Sequence, residues 1–301
     1  MNLLIAGGTG FIGRALIERL LQGRHELSIL ARNASSASAK LPPAARILSW
    51  EARTEWEGAL GRADAVINLS GASIAGARWT ARRKKLLLES RTSSVRAIRE
   101  AIARLQKTPR ALINASAVGY YGNVAGTDVT EEHAPGKGFL PELCLRWEEE
   151  ISSVAALGVR TVMLRTSVVL GRKGGALEKM ALPAKLFAGG WMGSGRQDFP
   201  WIHIDDVVGS ILFALQNEGL TGPVNLAAPE PVTMKSFCQA LARQLHRPCW
   251  APVPPPLLHL ALGEMAEMFL DGARVIPGKL LKSGFRFKFP SLQSALADLF
   301  P

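Results

Sequence analysis

The chain has 301 residues, is 48% hydrophobic and carries a net charge of +11, so its apolar content can fill one or two domain cores. No apolar run reaches the roughly 18–20 residues of a membrane span, and the three cysteines show neither metal-ligand spacing nor a disulfide pattern. These features argue against a membrane or metal-binding protein and predict a cytoplasmic one.

The positive charge allows three interpretations: a nucleic-acid partner, acidic small ligands or a generally basic surface. The densest basic run, residues 78–104, interleaves its charges with Leu, Val and Ile at helical spacing. This pattern is typical of a packed amphipathic helix with a basic outer face, not of a surface that reads nucleic acid. We therefore expect no nucleic-acid partner, and we favour a phosphorylated cofactor together with an anionic small-molecule substrate.

The amino-terminal stretch LLIAGGTGFIG predicts a nucleotide-binding turn. A short apolar strand leads into glycines 7, 10 and 13, and a helix with apolar residues at helical spacing follows. Such glycines permit a tight turn, close approach of a pyrophosphate and close packing of helix on strand. The helix start then offers free N–H groups to the anion. The predicted cofactor contacts here are Gly7, Thr9, Gly10, Phe11, Ile12 and Gly13.

The end of the second predicted strand, residues 25–31, indicates which dinucleotide is bound. Arg32 follows this strand, and no Asp or Glu occurs from Leu27 to Trp50. An acid near this position would bind the ribose 2′-hydroxyl of NAD, whereas an arginine accommodates the 2′-phosphate of NADP. The sequence therefore favours NADP, although a solvent-facing arginine would give the same pattern.

The next βα unit, residues 63–71, closes on Ser70, Gly71 and Ala72, whose small size would let the cofactor approach. Its predicted cofactor contacts are Leu69, Ser70 and Gly71. The long helix that follows should bury a stripe containing Leu88 and Val95. Arg91 lies on this stripe and needs an anionic partner there. We predict that Arg91 points toward the cofactor or a carboxylate, and an ordinary internal ion pair explains the pattern equally well.

Strands alternate with helices over the first 170 residues, which predicts an α/β fold with a doubly wound parallel sheet. Two further strands, at 111–115 and 160–170, complete this region. The pattern is looser after residue 170, although 224–226 indicates another strand. Asp205 and Asp206 are predicted to cap a helix that runs to about Asn217, and His203 to be packed or to line a pocket.

In this order, the motifs GGTGFIG, NLSGASI, SAVGYYG, LCLRWEEE, VVLGRKGGAL, GSGRQDFPWIHIDD, VNLAAPEPVT and GFRFKFP resemble the extended short-chain dehydrogenase/reductase superfamily. The chain is most similar to the epimerase-like branch that carries a C-terminal domain of unknown function. The resemblance implies a Rossmann domain over residues 1–170 that binds NADP. Residues 200–228 would return to this domain, and 171–301 would form a smaller, mostly helical substrate domain.

Chemistry in that superfamily is carried by a Ser and a Tyr-x-x-x-Lys pair. Ser116 matches the Ser, and Tyr120 and Tyr121 match a segment that lines the substrate pocket. The Tyr-x-x-x-Lys pair is absent, because the alignment places Leu140 and Cys144 at its positions. Ser116, Tyr120 and Tyr121 are therefore the catalytic candidates, and Arg165, also a predicted cofactor contact, would assist the phenols. Cys144 is more typical of a small core residue than of a nucleophile.

Two functions follow from these residues. The first is an NADP(H)-dependent, epimerase-like oxidoreductase acting on a polar, nucleotide-linked substrate. The second is a non-catalytic NADP(H)-binding regulatory or redox-sensing protein, because the usual acid–base pair is missing. No metal is expected in either case, and a homodimer is one assembly that the sequence leaves open.

Overall fold

A computed structural model describes residues 1–301. The strands are β1 (Asn2–Ala6), β2 (Glu26–Ala31), β3 (Arg46–Ser49), β4 (Ala65–Asn68), β5 (Ala111–Ala117), β6 (Val124–Val129), β7 (Arg160–Thr166), β8 (Val168–Leu170), β9 (Gly190–Met192), β10 (Trp201–His203), β11 (Gly222–Leu226), β12 (Ala251–Val253) and β13 (Ala273–Val275). The helices are α1 (Phe11–Leu21), α2 (Ala34–Ser38), α3 (Arg53–Leu60), α4 (Ala81–Ile102), α5 (Phe139–Ala155), α6 (Leu177–Lys185), α7 (Ile204–Gln216), α8 (Met234–Gln244), α9 (Pro255–Leu262), α10 (Glu267–Leu270), α11 (Gly278–Lys282) and α12 (Leu292–Leu299). Short 3₁₀ helices cover Val118–Tyr121 and Gly263–Ala266.

Seven strands form the central sheet in the order β11-β7-β5-β4-β1-β2-β3, and every neighbouring pair is parallel. The chain runs outward from β1 in one direction through β2 and β3, and then in the other direction from β4. This reversal beside β1 is the switch point at which dinucleotides bind in Rossmann folds. The predicted doubly wound α/β class is therefore confirmed.

Successive side chains of each strand point to opposite faces of the sheet, so both faces need a cover of helices. Leu4 and Ala6 pack with residues of α3, α4 and α5 on one face. Leu3 and Ile5 pack with residues of α1, α2 and α7 on the other. The result is a three-layer arrangement in which helices cover both faces of the sheet, so a ligand can reach it only at the ends of the strands.

The remaining chain forms a smaller apolar core against this unit. Its centre is made by Trp201, Phe237, Leu241 and Leu296, contributed by β10, α8 and α12. Strand β11, from the second half of the chain, lies at the edge of the main sheet beside β7. The boundaries proposed between the two domains remain a prediction. No helix combines the length and the apolar character that crossing a bilayer requires.

Several local expectations differ from the structure. The predicted strand over 160–170 is divided into β7 and β8, and β8 pairs with β10 outside the main sheet. The buried stripe of α4 starts at Leu87 rather than Leu88, which is half-buried. Strand β12 lies within the proline-rich segment 248–256, where the sequence pattern predicted no strand, and it pairs with β9.

Candidate functional site

The glycine turn between β1 and α1 has the geometry of a phosphate cradle. Gly7 has φ of 79°, and the main-chain N–H of Gly10 donates to the Gly7 carbonyl at 3.1 Å. A Cβ at Gly13 would lie 2.5 Å from the Gly7 oxygen, so only glycine allows helix and strand to meet this closely. No side chain caps α1, which leaves the first N–H groups of this helix free to bind an anion.

Gly8, between the predicted positions, has a packing role that the motif alone did not reveal. A Cβ at Gly8 would lie 2.7 Å from Ile29 and 2.8 Å from Ile17. Gly8 therefore seats the turn on the apolar core. Thr9 and Gly10 are exposed, and Phe11 and Ile12 are half-buried at the first turn of α1.

The loop after β4 forms the second wall of the cradle. A Cβ at Gly7 would lie 2.5 Å from the carbonyl carbon of Leu69, so the two loops are in contact. The buried side chain of Asn68 accepts a hydrogen bond from the N–H of Ser70 at 3.1 Å. Ser90 on α4 accepts one from the N–H of Ala72 at 3.0 Å. These bonds fix Leu69, Ser70 and Gly71 beside the glycine turn.

Arg32 follows β2, on the other side of β1 from this loop. Its side chain is exposed and forms no ion pair. Asn33 is occupied as the cap of α2, since it accepts a hydrogen bond from the Ser36 N–H at 2.9 Å. The carboxyl ends of β2, β1 and β4 therefore present Arg32, the glycine turn and the Leu69–Gly71 loop along one edge.

Arg91 extends from α4 beneath the second loop. A Cβ at Gly71 would lie 3.3 Å from the Arg91 guanidinium carbon, and that carbon lies 5.1 Å from the Trp147 ring centroid. Its Nη1 donates to the Leu87 carbonyl at 2.9 Å, while its Nε has no partner. Burial lowers the pKa of Arg91, and no carboxylate pairs with it. The alternative of an internal ion pair is therefore not what the structure contains.

The segment after β8 covers Phe11 and was not expected to contribute to the site. Cβ atoms at Gly171, Gly174 and Gly175 would lie 2.6, 3.3 and 2.8 Å from the Phe11 ring. These glycines let the main chain pass directly over the start of α1. The sequence signal was the glycine-rich string LGRKGG, which carried no assignable role because its contact lies about 160 residues away in the chain.

The catalytic candidate Ser116 belongs to a buried polar cluster. Its hydroxyl donates to Oε1 of Glu148 at 2.7 Å. Both oxygens of Glu148 accept from Arg165, at 2.9 Å from Nε and 2.7 Å from Nη2. Burial opposes the charge of Arg165, but the hydrogen bonds and charge of Glu148 outweigh it and raise the pKa of the guanidinium. Arg165, predicted as a cofactor contact, is thus engaged by protein groups.

The two tyrosines have different surroundings, although they are adjacent in the chain. Tyr121 is fully buried, donates to Asn225 Oδ1 at 2.6 Å and accepts from Arg165 Nη1 at 2.9 Å. Burial raises its pKa, and Arg165 offsets only part of that effect. The Arg165 guanidinium carbon lies 3.5 Å from the centroid of the Tyr120 ring. The Tyr120 hydroxyl has no hydrogen-bond partner within the protein and is not sealed from solvent.

Glu131 and Asn225 extend this cluster toward the second half of the chain. Oε1 of Glu131 accepts from the main-chain N–H groups of Asn225 and Lys279, each at 3.1 Å. The Asn225 side chain donates to the Ile276 carbonyl at 2.9 Å. Sequence reasoning missed both residues and the pairing of Glu148, because no local pattern joins positions so far apart.

Leu140 and Cys144, one helical turn apart on α5, face Gly119 beside the tyrosines. A Cβ at Gly119 would lie 3.3 Å from Leu140 Cβ and 3.9 Å from Cys144 Sγ. Burial, and then the charge of Glu148, raise the pKa of Cys144 to about 12. The thiol therefore stays protonated and behaves as a small core residue. Neither side chain can transfer a proton where the superfamily places its Tyr and Lys.

The expected capping of α7 by Asp205 and Asp206 is wrong. His203 is the N-cap, and its Nδ1 accepts from the N–H of Asp205 at 3.1 Å. Asp206 instead accepts from the main-chain N–H groups of Lys288 and Phe289, at 2.6 and 3.0 Å. Its buried carboxylate anchors the C-terminal segment, a contact between residues 82 and 83 positions apart.

The parallel sheet order, the glycine turn at the switch point and the exposed arginine after β2 define a Rossmann-fold nucleotide-binding protein. A sequence model of the NAD dependent epimerase/dehydratase family matches residues 3–227, and a domain of unknown function, DUF1731, matches residues 253–299. The chain belongs to the NAD dependent epimerase/dehydratase family.

Relatives match along the whole chain. Epimerase family protein YfhF of Bacillus subtilis is 43% identical over 300 residues, covering 99% of this chain and 98% of that protein. The structure of the human epimerase family protein SDR39U1 with NADPH has a TM-score of 0.88, 33% identity and 99% coverage of both chains. The Thermus thermophilus UDP-glucose 4-epimerase complex with NAD has a TM-score of 0.78 at 21% identity, covering 100% of this chain and 99% of that one, which shows a shared fold.

Proposed function

We propose that the chain binds NADP(H) across the carboxyl edge of its sheet and acts as an epimerase-like oxidoreductase on a polar, anionic, nucleotide-linked substrate. The observation that carries the proposal is the pairing of an uncapped glycine cradle with an exposed, unpaired Arg32. The human relative whose structure was solved with NADPH supports the choice of NADP over NAD.

The residues of the chain divide the binding task. The free N–H groups at the start of α1 would hold the pyrophosphate, and the helix dipole adds to this attraction. Arg32 would hold the 2′-phosphate, since a guanidinium can donate two parallel hydrogen bonds to it. Leu69, Ser70 and Gly71 would pack against the adenosine side, above Arg91. The bound nicotinamide would supply hydride transfer.

Among the catalytic candidates, we propose Tyr120 as the proton donor or acceptor. Its hydroxyl is free of protein partners, and the guanidinium of Arg165 lies over its ring and holds the ring in place by a cation–π contact. The hydroxyls of Ser116 and Tyr121 donate hydrogen bonds to Glu148 and Asn225, so their role would be to position Arg165 and the tyrosine segment. Arg165 acts through Tyr120 in this assignment rather than on the cofactor.

Replacing Arg32 tests the cofactor assignment. Arg32→Glu should weaken NADPH binding about tenfold to one hundredfold, as expected for a lost charge-assisted pair, with little effect on NADH. Arg46→Glu is the matched control, because Arg46 is exposed at the amino end of β3, on the opposite edge of the sheet. Equal affinities of the unmodified protein for NADPH and NADH, measured by fluorescence titration, would contradict the proposal.

Exchange of hydride tests the catalytic assignment. The protein with deuterated NADPH and a panel of sugar nucleotides and carbonyl compounds should transfer label, and Tyr120→Phe should abolish this transfer while retaining NADPH affinity. Tyr121→Phe should mainly lower the unfolding temperature, because it loses two buried hydrogen bonds. Transfer that survives in Tyr120→Phe would assign the proton step to another group.

The second candidate, an NADP(H)-binding regulatory protein without turnover, is favoured by one observation: Leu140 and a protonated Cys144 face Gly119, where the superfamily has its acid–base pair. It predicts no label transfer with any substrate and a large difference in affinity between NADP and NADPH. Isothermal titration with both forms measures this difference, and equal affinities would remove the candidate. Light scattering would establish whether the chain is a homodimer.

A further inference from the structure

A cavity lies among α6, β9, α8, β12 and α9, and none of its lining residues belongs to the candidate cofactor site. Its volume is about 270 Å³, near the lower limit of roughly 300 Å³ typical of small-molecule pockets. Ten of its 14 lining residues are hydrophobic. Ala184, Leu241, Ala242 and Leu258 are buried and form its floor. A cavity with such walls has few groups that can hold water.

The cavity opens to solvent on one side, since its lining residues Lys179, Pro183 and Ala188 are exposed. Large apolar side chains are also exposed in the chain segments that contain or adjoin the lining residues. Nine large hydrophobic residues are exposed in the whole chain, and six of them flank the cavity-lining segments: Leu182, Leu186, Phe187, Trp250, Leu257 and Leu260. This concentration of exposed apolar residues in the segments that line the cavity favours a binding function for the region.

The local backbone holds two of these aromatic side chains in place. Phe187 has φ of 61°, an uncommon conformation for a bulky residue, and yet its ring is 59% exposed. The Trp250 Nε1 donates to the Phe187 carbonyl at 3.1 Å. Strain of this type persists only where surrounding contacts impose it, and it tends to accompany binding sites. The hydrogen bond joins the segment after α6 to the segment before β12, two segments that adjoin the cavity lining.

Two cations lie near the cavity or its adjoining segments. Lys179 lines the cavity, and Arg247 lies with its guanidinium carbon 4.4 Å from the Phe187 ring centroid. Neither forms an ion pair with a carboxylate. A second copy of the chain would bring the same cations together across a symmetric contact, which charge repulsion disfavours. The complementary occupant combines an apolar chain with a negative head.

We propose that this cavity binds an anionic amphiphile with a single hydrocarbon chain, with the chain among α6, α8 and α9 and the head group at Lys179. The ligand chemistry is that of a fatty carboxylate or an alkyl phosphate. This site is separate from the proposed NADP(H) site and does not depend on it.

Fluorescence titration of the 301-residue chain with 11-(dansylamino)undecanoate tests the proposal. Saturable binding of about one probe per chain is expected, with displacement by dodecanoate and dodecyl phosphate but not by dodecyltrimethylammonium. Saturating NADPH should leave the probe in place, as should Arg32→Glu. These two arms separate a failure here from a failure of the proposed cofactor site.

Variants locate the bound probe. Ala242→Leu and Val253→Trp fill the cavity from its floor and its half-exposed wall, and each should weaken binding at least about tenfold. Lys179→Gln should weaken it about threefold to fivefold, the usual value of an exposed ion pair, whereas Lys185→Gln on the same helix should have no effect. Thermal unfolding identifies any variant that misfolds. If Ala242→Leu misfolds, Val253→Trp still tests the proposal, because position 253 is half-exposed and tolerates a larger side chain better.

Three results with the probe would overturn the inference. The probe fails to bind, or it binds the cavity-filled variants as well as the unmodified protein, or the cationic amphiphile competes equally. Binding to anionic phospholipid vesicles that both cavity-filling variants retain would also overturn it, since the exposed patch would then dock on a membrane surface without using the cavity.

Discussion

Glu148→Gln should destabilise the protein more than any exposed substitution on α5, because Glu148 is the one carboxylate that forms an ion pair with the buried Arg165. The Arg165 and Glu148 side chains are 4% and 8% exposed, and two hydrogen bonds join them. Removing one partner of a buried pair costs about 3–5 kcal/mol. Tyr121 and the Glu131 carbonyl remain as neutral acceptors for Arg165, which places the expected cost near the lower value.

The assay is thermal unfolding followed by circular dichroism. At about 2 °C for each kcal/mol in a chain of this size, the midpoint should fall by about 6 °C. Glu149→Gln is the matched control, since Glu149 is exposed, forms no ion pair and should change the midpoint by about 1 °C or less.

A double variant checks the cause. Glu148→Gln combined with Arg165→Met removes both charges and should recover part of the lost midpoint, because an apolar side chain tolerates the buried position better than an unpaired cation. If Glu148→Gln unfolds no earlier than Glu149→Gln, the reasoning that the buried pair stabilises this cluster is refuted.

Three further predictions concern other parts of the molecule. Gly13→Ala should abolish NADPH binding in fluorescence titration, because its Cβ would lie 2.5 Å from the Gly7 oxygen, whereas Gly58→Ala inside α3 should bind normally and gain about 0.5–1 kcal/mol in urea unfolding. Burial lowers the pKa of His203 below 6.5, so the unfolded chain binds the proton more readily and the folded state loses stability as the pH falls below 6.5. His203→Asn should therefore flatten this part of a plot of unfolding temperature against pH. The control His259→Asn, at an exposed position, should leave the plot unchanged. Cys144, with a pKa of about 12, should resist iodoacetamide at pH 8 in the folded protein and react after unfolding in urea, so mass-spectrometric detection of native labelling at Cys144 would contradict its assignment to the core.

The sequence determined the features that depend on short stretches of chain. Glycines at positions 7, 10 and 13 act within one turn, so their spacing was enough to predict the strand, the cradle and the helix. The alternation of strands and helices predicted the doubly wound sheet for the same reason. The absence of the Tyr-x-x-x-Lys pair could also be read from the sequence, because no tyrosine occurs after Tyr121.

Only the tertiary structure decided which side chains meet. Tyr120 and Tyr121 are neighbours, and the sequence makes them equally good catalytic candidates. In the structure the Tyr121 hydroxyl binds Asn225, whereas the Tyr120 hydroxyl has no partner within the protein. Phe11 meets Gly171, Gly174 and Gly175, and Asp206 binds the N–H groups of residues 288 and 289. Such pairs lie far apart in the chain and follow no period, since they are set by how helices cross the sheet. The candidate phosphate cradle can thus be predicted from a short stretch of sequence. The hydrogen-bond partners of the polar groups around it are set by the packing of the whole fold.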